Sequence, residues 1–106
     1  MILKNIKDMK DGWFVGAFEP SALNTYNCEV GVKHYIKGQV NLSHYHKLAT
    51  EITYVLYGTV IMNGIEFNKG DIVVVEPNEI VDFMAMSDAM LVIVKTPGAL
   101  NDKYNI

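Results

Sequence analysis

The feature that most restricts this chain is its punctuation. Glycines at 31, 38, 58, 64, 70 and 98, with Pro77 and Pro97, break the sequence into runs of four to eight residues rich in Val, Ile, Tyr and Thr. Runs that short cannot build helices of ordinary length, whereas β-branched and aromatic segments between turn residues suit strands. The expected strands are 30–36, 51–57, 59–62, 65–68, 71–75, 81–86 and 90–95. Asn63-Gly64, between Met62 and Ile65, has the composition of a two-residue hairpin turn, in which both positions take positive φ. Helical signals are confined to single turns near 8–11 and 99–103. The class read from this pattern is all-β, a sandwich or barrel.

Composition limits size and partners. With 106 residues the chain fits one domain, and half of its residues are apolar, enough to form a core. All nine basic residues are lysine and the net charge is −3. Without a single arginine, the planar fork that grips bases and phosphates is missing, so a nucleic-acid partner is not expected. The longest apolar run, Ala89–Val94, is too short to span a bilayer. Residues 1–13 lack the apolar stretch of a secretion signal, and the lone Cys28 cannot form an internal disulfide. A cytoplasmic protein is therefore expected. Several strands, such as Ile72–Val75, are apolar on both faces although the chain has only one interior, which points to a homodimer.

The chemistry lies in 38–58. On a strand, His44 and His46 share a face, because side chains two apart point the same way. A carboxylate from the following strand, Glu51, completes a set of two imidazoles and one carboxylate. That set suits divalent first-row metals and is the facial set of non-haem Fe(II) sites. The same alternation in 30–37 puts Val30, Val32, His34 and Ile36 on one face; read as the inward face, it carries His34 into the interior as a pocket residue.

The full spacing, Gly38-x5-His44-x-His46-x4-Glu51-x6-Gly58, resembles the first signature motif of the cupin superfamily, with every anchor present. Gly70-Asp71, Pro77 and the residues up to Val81 resemble the second motif. The resemblance covers about 30–97 and implies a small single-domain cupin over 1–106, a double-stranded β-helix or jelly-roll barrel whose residues 1–29 add edge strands. It also implies one divalent metal ion inside the barrel on His44, His46 and Glu51, with Fe, Mn, Zn, Ni and Co all compatible.

The second motif departs from the family pattern. Glu76 stands at the usual first proline, Asn78 replaces a glycine, and Ala85 an asparagine. Val81 occupies the position that normally supplies the remaining histidine ligand, so the site keeps three ligands and partial occupancy is expected. Val81, Phe83 and Ala85 form the apolar face of that strand. Val81 and Phe83 are thus expected beside the ligands, with Asp82 pointing outward. The leading reading is a metal-dependent enzyme acting on a small organic molecule by isomerase- or oxygenase-type chemistry. The alternative is a non-catalytic sugar- or carboxylate-binding or regulatory module with a degenerate metal site.

Overall fold

The computed structural model describes residues 1–106. Ten strands follow one another as β1 (Trp13–Val15), β2 (Glu29–Tyr35), β3 (Val40–His46), β4 (Thr50–Tyr57), β5 (Val60–Met62), β6 (Ile65–Phe67), β7 (Ile72–Val75), β8 (Val81–Ala85), β9 (Ala89–Thr96) and β10 (Lys103–Asn105). The only helical element is a 3-10 turn at Ile6–Asp8. Two five-stranded antiparallel sheets result, in the orders β1-β2-β9-β4-β7 and β10-β3-β8-β5-β6. This is the all-β double-stranded helix expected from the sequence.

Each expected strand is found, with no end shifted by more than one residue. The Asn63-Gly64 turn also forms, with φ of 50° and 76° and Met62 paired to Ile65. The spans of β1, β3 and β10 were not among those read from composition. β1 and β10 are three residues long and lie at sheet edges, where little alternation can develop.

The interior is graded from one end to the other. Along β9 the inward residues run Ala89, Leu91, Ile93 and then Lys95; along β4 they run Val55, Thr53 and Glu51. Val55, Val60, Ala89 and Leu91 are essentially sealed and close one end of the barrel. Burying a side chain such as Leu91 stabilises the fold by roughly 1.5–3 kcal/mol. Gly58 starts the turn into β5 at φ 87°, and any Cβ there would collide with the Asp88 carbonyl, so this motif glycine is needed for chain passage. Polar side chains gather at the opposite end and leave it open.

One sequence-based placement is corrected. His34 is exposed on the outer side of β2, and it is Lys33 and Tyr35 that face the barrel cavity. The alternation was real, but it marks a second covered face. Val32 and His34 line an outer groove with Ile6, Met9 and Phe14 of the N-terminal segment. The inward row of β2, Glu29-Gly31-Lys33-Tyr35, is polar because it borders the open end.

Candidate metal centre

The ligand cluster begins with a local irregularity in β3. Asn41 and His44 both line the cavity although three positions apart, which strict alternation forbids. The pairing of β3 with β8 shifts register between these two residues, and this bulge turns His44, and His46 after it, inward. β8 has no such interruption. Val81 and Phe83 are buried, while Asp82 is exposed and accepts a hydrogen bond from the Asn63 backbone N–H at 2.7 Å.

The Nε2 or Nδ1 atoms of His44 and His46 and a carboxylate oxygen of Glu51 lie within 4.8 Å of one another. Both imidazoles are buried and meet edge to face, with centroids 5.5 Å apart. His44 Nδ1–H donates to the Leu42 carbonyl at 2.9 Å, which leaves the Nε2 lone pair free for a cation. His46 Nδ1–H donates to the Asp102 carbonyl, also at 2.9 Å, and its Nε2 stands 3.0 Å from Glu51 Oε2. Both nitrogens of His46 thus face acceptors, so a proton or a cation at Nε2 satisfies the geometry. Two oriented imidazoles and a carboxylate are a donor set that fits a divalent transition metal.

The surroundings tune these groups. Burial pushes the His44 imidazole below its ordinary value, outweighing the Leu42 carbonyl, and the Lys103 charge adds to the effect. Burial alone would raise Glu51, but the His46 hydrogen bond and the charges of Lys95, His46 and His44 override it and hold the carboxyl below the usual range. Both shifts keep the donors in their metal-binding protonation states at neutral pH.

Asp102 had no signal in the sequence. It is 5% exposed, and its carboxylate accepts from the backbone N–H groups of Lys47, Leu48 and Ala49 at 3.0 Å each. Burial would raise this carboxyl as well, but the three donors outweigh it and the group lies below the ordinary aspartate value. Asp102 thereby pins the turn between His46 and Glu51, and its own carbonyl sets the His46 ring. Four further cavity residues were also missed. Trp13, Lys33, Lys95 and Lys103 come from strands far apart in sequence, and no spacing motif links them.

The cavity measures about 300 Å³ and is bounded by the three donors, Thr53, Leu91 and Ile93 among others. On the side of β8 its wall is Val81, which pairs with His44, Phe83, whose ring lies 4.5 Å from that of Tyr35, and part of Asp82. Tyr35 Oη accepts from Asn41 at 3.3 Å, and burial raises its phenol above the ordinary value.

The fold defines the class: the chain has the cupin fold. No protein-family model matches the sequence, and no curated protein matches it. Solved structures do. A conserved protein with a double-stranded β-helix domain from Klebsiella pneumoniae is 28% identical, with TM-score 0.66 over 76% of this chain and 75% of that one. An RmlC-like cupin from Shewanella frigidimarina is 21% identical, with TM-score 0.66 over 74% and 72%. Oxalate decarboxylase from Bacillus subtilis is 20% identical, with TM-score 0.65 over 76% of this chain but 24% of its own length. At these last two identities the likeness is one of fold.

Proposed function

We propose that this protein is a metal-dependent enzyme acting on a small organic molecule inside the barrel. His44, His46 and Glu51 would hold one divalent transition-metal ion, and the chemistry would be of isomerase or oxygenase type. The observation that carries the reading is the convergence of three donor atoms within 4.8 Å at the wall of a cavity large enough for a small substrate. A bound ion would supply Lewis-acid polarisation of a substrate oxygen or an O2-activating centre. The chain's own residues set the stage: Leu42 and Asp102 orient the imidazoles, Val81 and Phe83 keep one wall apolar, and the sealed end confines the substrate to the open mouth.

A second reading has its own support. Val81 stands where a fourth ligand would enter, and His46 and Glu51 already satisfy each other at 3.0 Å. A barrel that binds a small organic ligand without chemistry fits both facts. Metal content of freshly purified protein, followed by zinc titration of wild type, His44→Ala and Glu51→Ala, separates the two. Uptake of about one ion per chain, lost in both variants, supports the enzyme; no uptake by wild type leaves the binding module.

We also infer a homodimer in the cytoplasm. No helix is long and apolar enough to cross a membrane. The outer side of β4 and β7 presents Tyr54, Leu56, Ile72 and Val74, all at least 37% exposed. A stable pair through this face would bury about 1,200–2,000 Å². Light scattering on wild type and Ile72→Lys/Val74→Lys should give a dimer and a monomer respectively; a monomeric wild type refutes the pairing.

A further inference from the structure

Lysines rarely sit half-buried without a partner, because removing an ammonium from water is costly. Of the nine lysines here, seven are exposed. The two that are not, Lys33 and Lys95, both line the barrel cavity. Neither is within 4.0 Å of any carboxylate, since the one ion pair of the chain is His46 with Glu51. For Lys95 this is not for want of neighbours: Glu29 on β2 and Glu51 on β4 are its cross-strand partners on either side.

Both ammoniums are instead gathered over one ring. Lys95 Nζ lies 4.9 Å and Lys33 Nζ 5.7 Å from a ring centre of Trp13. The indole can lie there because residue 31 is glycine, where a Cβ would come within 2.7 Å of the ring. Lys33 Nζ also donates to the Asp11 carbonyl at 2.9 Å, a neutral partner with which it forms no ion pair. Lys103 brings a third ammonium from the other sheet, opposite His46 in the β10–β3 pairing. These charges act on one another, since burial and then the fields of Lys95 and Lys103 depress the Lys33 amine, against the opposing pull of Asp11. A chain of net charge −3 therefore keeps its least exposed cations unpaired in one cavity.

We propose that the ligand of this cavity is a small organic carboxylate, its anionic group received by Lys33 and Lys95 over Trp13, with Lys103 completing the positive rim. The proposal rests on the reading of this cavity as the substrate site and names the substrate class. Lysines act as point charges, and a cavity of about 300 Å³ lined in part by Val81, Phe83, Leu91 and Ile93 suits a small acid with an organic body better than a bare inorganic anion.

Trp13 is the only tryptophan and serves as the reporter. Succinate, succinamide as its uncharged counterpart, and inorganic phosphate are titrated while Trp13 fluorescence is followed, in chelator-treated and in zinc-loaded protein. Calorimetry repeats the succinate titration. Succinate should give a saturable response in both forms, and succinamide and phosphate should bind more weakly. The Lys33→Met/Lys95→Met double variant should lose about tenfold or more in succinate affinity while still taking up zinc. Lys33→Gln/Lys95→Gln repeats the test with polar side chains, and Lys69→Met, on the exposed surface, should leave affinity unaltered. No saturable response to succinate, equal binding of succinamide, tighter binding of phosphate, or a double variant of undiminished affinity overturns the proposal. Failure of the metal reading shows separately, as absent zinc uptake with the succinate response of chelator-treated protein retained.

Discussion

Removing the Asp102 carboxylate tests how the candidate metal donors are held. Asp102→Ala deprives three backbone N–H groups, those of Lys47, Leu48 and Ala49, of their acceptor. Lys47 and Leu48 are exposed, so water can replace most of what they lose, at about 0.5 kcal/mol each. Ala49 is 2% exposed, and its N–H would be stranded at about 1–3 kcal/mol. The fold should therefore lose about 2–4 kcal/mol, lowering Tm by about 10–25 °C in a domain of this size. The same change frees the carbonyl that orients the His46 ring, and loss of such a supporting contact weakens metal binding about 10- to 100-fold. Asp102→Asn, which keeps one acceptor oxygen, should fall between. Thermal unfolding monitored by circular dichroism measures the first effect, and zinc calorimetry well below Tm the second. An Asp102→Ala protein within about 1 kcal/mol of wild type, or one that binds zinc as tightly, refutes the assigned role.

Val81→His should tighten divalent-metal binding, because position 81 pairs directly with His44 and points into the cavity; calorimetry showing unchanged or weaker affinity contradicts that placement. Stability should fall in acid in two stages. The His44 value is depressed in the fold, so its contribution is complete above the unfolded value near 6.5 and is lost as pH falls through the folded one. Glu51 and Asp102 are likewise depressed, so theirs is present above about pH 4.5 and 3.8 and lost below, as urea midpoints against pH would record; His44→Gln should remove the upper stage alone. Gly58→Ala should cost about 1–3 kcal/mol in the same assay, since φ is 87° and the new Cβ meets the Asp88 carbonyl.

Much of this molecule was legible along the chain because its determinants are local. Turn chemistry at Asn63-Gly64 needs two residues, and the strands from 51 to 95 declare themselves by short-range composition. The cluster of candidate donors was legible too, because His44 and His46 lie two apart on one strand and Glu51 lies near the start of the next. Position 81 could be placed for the same reason, since regular alternation from Val81 to Ala85 leaves no doubt about its face.

Other features depend on contacts between distant segments. His34 was misplaced because alternation reports a covered face without saying what covers it; here the cover is the N-terminal segment, and the row facing the site is polar. The bulge between Asn41 and His44 is a property of pairing with β8, and Asp102 acts on a turn more than 50 residues away. The unpaired lysines are the clearest case. Lys33, Lys95 and Lys103 are unremarkable as letters, and only the closing of two sheets around Trp13 brings them to one cavity. Their meaning comes from how the charges are arranged around the cavity, a matter of three-dimensional distance, which sequence separation does not measure.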